Sequence, residues 1–572
     1  MKHGIVLRIR VISLLVCCAA LVLIGRLYVV QIVYGDALTL KADRQYLPSG
    51  ENLFERGSIF FEDKNGKRIA AATVKSGFTV ALNPMNIQDP EALYRALAPL
   101  LPLNEEDFLF RARKADDPYE EIAKQVSEET ARSIESLTLT GVSLYKERWR
   151  FYPGERLAAQ TIGFVGYDDS GTKLAGRYGL ERFYERILSR DVTRLYVNFF
   201  AEIFKGLGNE LQNGETGAGG DIITTIEPSV ELMLEGTLKK VSEQWHPTQV
   251  GGIIMNPQNG EIYAMGVYPN FNLNQFRGER DPRVFSNPLV EGVYEMGSIV
   301  KPLTFAAGLD AEVITATTTY HDYGFLELNG EKISNFDGKG RGIIPLQEVL
   351  NQSLNTGAAF VERQLGNKRF ADYFLSFGLG EETGIDLPNE AHGIVENLRS
   401  PRDIEYATAS FGQGIAITPV EAVRALSALA NGGVLVTPHL AKTIKYENGF
   451  SKTLSYRDGV RVLKPETSEE ITRMLVEVVD KVLGGGTAKL TRYSIAAKTG
   501  TAQIAKEDER GYYTDRYLHS FFGYFPAYDA RFLIFFYALE PQGGLYASQT
   551  FTVPFMDTVK FLINYYEVPP NR

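Results

Sequence analysis

A serine and a lysine three residues apart, Ser298 and Lys301, stand in the run Glu295-Met296-Gly297-Ser298-Ile299-Val300-Lys301-Pro302. They share a face only if the run is helical, because i and i+3 lie one above the other on a helix. Pro302 says where on that helix they sit. Proline is tolerated in the first turn, where its missing N–H has no intrahelical acceptor to lose, and it breaks the ladder further in. Ser298 is therefore expected at the helix N-terminus, with unpaired backbone N–H groups around its hydroxyl and Lys301 one turn on. That is a seat for a serine nucleophile with a lysine as its proton acceptor. The pair alone says little, since a chain of this length holds roughly two Ser-x-x-Lys matches by accident at average composition.

Two more groups of the same chemical kind lie downstream. Ser353-Leu354-Asn355 falls in a polar turn after the apolar helical pattern of residues 346–350. In extended geometry i and i+2 project the same way, which would aim the Ser353 hydroxyl and the Asn355 amide together. Lys498-Thr499-Gly500-Thr501 continues the small-apolar strand Ser494-Ile495-Ala496-Ala497. Gly500 lets another backbone or a ligand approach closely. Lys498 and the hydroxyls of Thr499 and Thr501 make an edge suited to the anionic end of a substrate. A given Lys-Thr-Gly triplet arises by accident in about one chain in ten of this length. The three groups in this order form a strong constellation.

The elements that must position them follow from the surrounding pattern. At 572 residues the chain is too long for one core, so two or three domains are expected. Residues 221–572 hold all three groups. They read as a strand at 222–226, a helix at 228–244 and two strands at 251–256 and 261–266 about the turn Pro257-Gln258-Asn259-Gly260. A largely helical middle from 298 to about 484 follows, then strands at 493–505, 520–525 and 532–539. Strands at both ends with helices between give an α/β (α+β) class: an antiparallel-rich sheet covered by helices, with Ser298 at the sheet–helix junction. Residues 41–220 read as a separate mixed α/β domain, with a strand at 53–60, a hairpin turn at Asn65-Gly66 and helical spacing over 89–101 and 128–137. That domain has no constellation of catalytic residue types. The stretch from Gly206 to Gly220 carries six glycines and marks its boundary.

Residues 1–40 carry Lys2, Arg8 and Arg10 ahead of an apolar run from Val11 that resumes after Arg26. The run has about twenty apolar residues, enough to cross a bilayer as a helix. Basic residues before it and Asp36 after it put the N-terminus in the cytoplasm and the rest outside. A small-x-small cleavage site is missing after the apolar core, which favours a retained anchor over a signal peptide. Hydrophobic residues at 44% and charged residues at 23% are ordinary globular composition. A net charge of −10 and no basic stripe interleaved with aromatics argue against nucleic-acid binding. The only cysteines, Cys17 and Cys18, lie in the apolar run, so the folded part has no disulfide or thiol chemistry. The six histidines form no i, i+4 pair and have no companion cysteines, so no metal site is expected.

Ser-x-x-Lys, Ser-x-Asn and Lys-Thr-Gly together occur in penicillin-binding proteins and serine β-lactamases. Over nearly its whole length the sequence resembles the monofunctional (class B) high-molecular-weight penicillin-binding proteins, the peptidoglycan D,D-transpeptidases. Arg56-Gly57-Ser58-Ile59 with Asn65-Gly66, Arg150-Phe151-Tyr152-Pro153-Gly154 and Gly176-Arg177-Tyr178-Gly179-Leu180-Glu181 resemble motifs of that family's pedestal, or dimerisation, domain. Thr383-Gly384-Ile385-Asp386-Leu387-Pro388, Phe411-Gly412-Gln413-Gly414 with Thr418-Pro419, and Gly485-Gly486-Thr487-Ala488 resemble its catalytic domain. Asn256, where the family usually has Asp, and Met296, where it usually has Pro, are departures that supply no atom to the chemistry.

The resemblance implies the penicillin-binding transpeptidase fold over 221–572, a pedestal over 41–220 and a single transmembrane anchor over 1–40. It implies that Ser298 attacks the carbonyl between the last two D-alanines of a stem peptide. Lys301 accepts its proton as a neutral amine, with burial and Lys498 as a second cation pushing its pKa down. Ser353 then relays the proton to the leaving amine, and Asn355 positions the acyl donor's amide. The Ser298 and Thr501 N–H groups hold the oxyanion, and the Thr499 and Thr501 hydroxyls hold the terminal carboxylate. No metal or organic cofactor is called for. Implied partners are stem peptides, β-lactams as covalent inhibitors, and a SEDS-type glycosyltransferase in the plasma membrane. The compact pedestal and total length lean towards septal cell division over lateral-wall elongation. A serine β-lactamase would not need an anchor and a pedestal, and a non-catalytic scaffold is expected to have lost Ser298, Lys301 or Lys498.

Overall fold

The computed structural model describes residues 54–190 and 219–572, apart from 115, 169, 170, 172, 458, 507, 508 and 510. The expected anchor in residues 1–40 lies outside the described residues, among which no helix is long and apolar enough to cross a membrane. Two compact units divide the chain.

The smaller unit comprises residues 54–55 and Val74–Trp149 among those described. Its helices Pro90–Leu97, Glu105–Ala112 and Glu128–Ser136 each start on a side-chain cap, with Asp89, Asn104 and Ser127 accepting a backbone N–H three residues on. Leu93, Leu97, Phe108 and Ile134 from these helices bury against Val80, Leu82 and Val126 of an antiparallel strand pair.

The larger unit comprises Arg56–Thr73 and Arg150–Arg572. One of its sheets is gathered from distant sequence. Ile59–Glu62 pairs antiparallel with residues 68–72 across the Asn65-Gly66 turn, and parallel with Gly220–Thr224, which in turn pairs antiparallel with Ala441–Tyr446.

The central sheet holds β1 (Gln249–Met255), β2 (Ile262–Tyr268), β3 (Ala496–Ala505), β4 (Tyr512–Phe525) and β5 (Phe532–Leu539) in the order β3-β4-β5-β1-β2. Every neighbouring pair is antiparallel. β5 is apolar throughout because it is covered on both faces, and successive side chains of a strand point to opposite sides. Phe532, Ile534, Phe536 and Ala538 pack with the helices α1 (Pro228–Trp245) and α6 (Ala547–Tyr565). Leu533, Phe535 and Tyr537 belong to the opposite core, with Leu303 of α2 (Lys301–Asp310) and Met474 and Leu475 of α5 (Pro465–Lys481).

Between α2 and α5 the expected helical stretch is interrupted. α3 (Leu346–Gln352) and α4 (Asn355–Leu365) follow two antiparallel hairpins, Thr319–Asp322 with Gly342–Pro345 and Phe325–Leu328 with Glu331–Ser334. Asn329 and Gly330 turn the second with φ of 50° and 82°, the left-handed pair that a two-residue hairpin loop requires. Beside that turn only Leu326-Glu327-Leu328 alternates, too short a run to announce strands by itself. β4 also starts eight residues earlier than expected, at Tyr512 instead of Ser520.

Candidate active site

After Met296 the chain makes a 3₁₀ turn over Gly297–Ile299 and enters α2 at Lys301, with Pro302 in the first turn. Two other segments close on this turn. Gly297 N–H donates to Gly412 O at 3.0 Å, and Ser520 Oγ donates to Met296 O at 2.7 Å. A Cβ on Gly412 would lie 2.3 Å from Gly297 O, and one on Gly500 would lie 2.8 Å from Met296 O. Gly412 also has φ of 79°. Only glycine permits this approach. Ser298 is half-buried in the turn, and Lys301 is 0% exposed.

Lys301 Nζ donates to Ser353 O at 2.6 Å and to Asn355 Oδ1 at 2.9 Å, and lies 3.3 Å from Ser353 Oγ. Ser353 ends α3 in the left-handed conformation, φ 58°, and Asn355 opens α4. The two therefore converge through a helix-to-helix corner in place of the expected extended turn. A serine at positive φ costs on the order of 1 kcal/mol, and the surroundings hold it there. Asn355 Nδ2 donates to Ser334 O at 3.0 Å, Thr356 Oγ1 to Asp322 Oδ1 at 2.8 Å, and Thr356 N–H to Asn335 Oδ1 at 3.2 Å. Asp322, Ser334 and Asn335 come from the two hairpins. Sequence reasoning misses them because it reads that stretch as helix, and Asn329-Gly330 is the available signal.

Lys498, 2% exposed on the edge strand β3, donates from Nζ to Ser353 Oγ at 2.9 Å and to Thr499 O at 3.0 Å. Ser353 Oγ thus lies between two lysine nitrogens. Thr499, Gly500 and Thr501 follow on the same strand, both threonines half-buried. Thr501 Oγ1 accepts the Ala547 N–H at 3.1 Å, tying the strand to the start of α6. Beside these contacts the ring of Phe336, which follows Asn335, meets that of Tyr546, which precedes Ala547, edge to face at 5.8 Å. Spacing singles out neither aromatic. The five residues Lys301, Ser353, Asn355, Lys498 and Thr499 are in direct contact, with Ser298 one turn from Lys301.

Burial pushes the Lys301 amine well below the ordinary lysine value, and the neighbouring Lys498 charge pushes it further. Lys498, expected as a standing cation, is itself lowered to about 7 by burial. A neutral Lys301 has two N–H bonds for its two shortest acceptors and one lone pair left for a hydroxyl proton. The arrangement can therefore take a proton from a serine hydroxyl and pass it along Ser353. Among the described residues no group of three or more His, Cys, Asp or Glu could hold a metal ion.

The penicillin binding protein transpeptidase domain family matches residues 250–557, and the penicillin-binding protein dimerisation domain family matches residues 53–198. Stage V sporulation protein D of Bacillus subtilis (strain 168) is 31% identical over 555 residues, covering 94% of this chain and 82% of that protein. Peptidoglycan D,D-transpeptidase FtsI of Escherichia coli (strain K12) is 25% identical, covering 93% of this chain and 87% of that protein. Among solved structures, penicillin binding protein 2X from Streptococcus thermophilus shares the fold at a TM-score of 0.73 and 20% identity, over 90% of this chain and 81% of that one. Penicillin binding protein 3 of Mycobacterium tuberculosis, complexed with aztreonam, does so at a TM-score of 0.68 and 21% identity, over 91% and 98%. The fold and the lysine–serine cluster define a serine acyltransferase of the penicillin-binding type. The chain belongs to the penicillin-binding protein transpeptidase family, in its class B form with an N-terminal dimerisation domain.

Proposed function

We propose that this chain is a peptidoglycan D,D-transpeptidase that cross-links stem peptides through an acyl-enzyme on Ser298. The observation that carries the reading is Ser353 Oγ held between Lys301 Nζ and Lys498 Nζ, with Lys301 one turn from Ser298. Neutral Lys301 takes the Ser298 proton as Oγ attacks the penultimate D-alanine carbonyl. The oxyanion is held by the Ser298 and Thr501 N–H groups. The proton passes through Ser353 to the leaving nitrogen, the C–N bond breaks, and D-alanine departs. Asn355 orients the donor amide, while Lys498, Thr499 and Thr501 hold the terminal carboxylate at the edge strand, with Gly500 admitting the close approach. An amine from a second stem peptide then attacks the ester and restores Ser298.

In this reading residues 1–40 anchor the chain in the plasma membrane with its N-terminus in the cytoplasm. Residues 41–220 form the pedestal, and 221–572 work outside the cytoplasm. The membrane partner is a SEDS-type glycosyltransferase, and the pathway is septal, with lateral-wall elongation as the alternative. A fluorescent fusion at the septum supports the first and one along the side wall the second.

The chemistry is tested by intact-protein mass spectrometry with a β-lactam, whose strained amide mimics D-alanyl-D-alanine. One adduct per chain, lasting many minutes and mapping to the Ser298 peptide, is expected, and Ser298→Ala should abolish it. Rapid release of hydrolysed drug would mark a β-lactamase instead. No adduct, together with no turnover of a stem peptide, would mark an inactive scaffold.

A further inference from the structure

Glu295 immediately precedes the Ser298 turn, and the chemistry above makes no use of it. Its Oε1 accepts the Gly414 N–H and the Tyr512 O–H, each at 3.1 Å, while its Oε2 is buried without a partner. Gly414 ends the short segment whose Gly412 O receives Gly297 N–H. Tyr512 opens β4 opposite Ala505, at the far end of β3. The carboxyl therefore ties the nucleophile turn to the strand pair that carries Lys498, Thr499 and Thr501.

Two donors on one oxygen and none on the other is the arrangement a neutral carboxylic acid satisfies best, its carbonyl oxygen accepting and its hydroxyl carrying the proton. A carboxylate would leave an anionic oxygen buried and bare. Burial raises the group to about 7, against the smaller opposing effects of the Gly414 and Tyr512 donors. Tyr512 faces it from β4, and Glu405 of the helix Asp403–Ala409 acts on Tyr512 in turn. Among the described residues no cation pairs with Glu295.

We infer that Glu295 is a positioning residue that works as the neutral acid, seating the Ser298 turn against the strand pair while its proton is on Oε2 and releasing it on ionisation. The inference rests on Ser298 being the nucleophile. A bare buried oxygen is relieved by drawing in water or by parting the turn from the β3–β4 strand pair, and either moves Ser298 off line. Lys498 loses its charge over the same range, so the fall in acylation above neutrality is the product of two ionisations.

The test is the acylation rate of the purified full-length chain by a fluorescent penicillin, followed from about pH 5.5 to about pH 9. In the wild type, log rate should fall with a slope approaching about two per pH unit on the alkaline side. Glu295→Ala should lower the rate roughly tenfold through the lost pairing. Glu295→Gln, which copies the neutral acid, should rescue it and leave a slope of about one. Tyr512→Phe removes a donor that favours the ionised form, so it should move the fall to higher pH. The inference is overturned by a Glu295→Gln chain that keeps the wild-type slope, or that loses acylation at every pH while melting like the wild type. A Tyr512→Phe fall that stays in place overturns it as well, and that variant decides alone if Glu295→Gln does not fold. A wild type that takes no penicillin at any pH removes the nucleophile reading and this inference with it.

Discussion

Lys301 and Lys498 are both buried and both reach Ser353, yet their surroundings give them different work. Lys301 has two carbonyl acceptors and a neighbouring charge that disfavours its own. Lys301→Arg keeps a cation but cannot supply a neutral amine, so acylation should fall roughly 10²–10⁴-fold. Lys498→Arg keeps a cation at the carboxylate edge and should cost less, roughly tenfold. The reverse order in a penicillin-acylation assay would exchange the two roles. Lys498 also has a consequence for stability. Its folded value of about 7 lies below the unfolded one, so across the window from about 7 to the ordinary lysine value the unfolded chain binds the extra proton. Stability should therefore rise with pH there, by at most about 1.4 kcal/mol per unit from this group. Denaturation of the wild type and Lys498→Met at neutral and alkaline pH should show a shallower rise in the variant. Equal slopes would place the Lys498 amine in a better-solvated site. Both lysines are legible in the sequence because type and spacing identify them. Glu295 is not, because a glutamate beside an apolar run looks the same whether it faces solvent or is buried under a neighbouring strand.

At the scale of elements, the junction of the Ser298 turn with the 411–414 segment depends on backbone contact. Gly412→Ala would put a methyl 2.3 Å from Gly297 O at a φ of 79°. It should cost about 2 kcal/mol or more and abolish acylation together. Gly236 is the opposite case, in the middle of α1 with nothing within 4 Å of the point where a Cβ would lie. Gly236→Ala should raise stability by about 0.5–1 kcal/mol with acylation untouched. Thermal melts with penicillin labelling check both, and a tolerated Gly412→Ala would show the turn to be looser than described. The strands β1, β2 and β5 and the N-terminal placement of Ser298 can be read from the sequence, since each follows from a local pattern. The hairpins between α2 and α3 show only the Asn329-Gly330 turn, because their strands are four residues each and largely exposed or half-exposed, and what fixes them is the distant Thr356 and Asn355 they hydrogen-bond.

At the scale of the whole molecule, three stretches that read as separate motifs meet at one buried carboxylate. Glu181, 0% exposed, accepts from Arg56 Nε at 2.7 Å and from Arg150 Nε, with Tyr152 Oη at 3.3 Å, while Arg56 also pairs with Glu185 at 2.7 Å. Burial works to raise the Glu181 carboxyl, but Arg150 and Arg56 outweigh it and hold it below the ordinary range. All these residues lie in the larger unit although they span positions 56 to 185. Removing the shared acid leaves buried Arg150 without its carboxylate and Arg56 with Glu185 alone, so Glu181→Ala should cost about 3–5 kcal/mol. A chemical-denaturation shift under about 1 kcal/mol would mean that water reaches the cluster and screens it. The sequence displays these motifs in order but not their meeting, because ion pairing across more than a hundred residues leaves no periodicity to read.

The glycine closure around Ser298 also bears on how this enzyme can change over generations. Residues 297, 412 and 500 are held by other backbones, so inherited tolerance to an inhibitor has no viable single step through them. Phe336 and Tyr546, 57% and 43% exposed, carry no such constraint and no role in the chemistry. Lineages grown under a β-lactam should accumulate their substitutions at those two positions and leave the three glycines as they are.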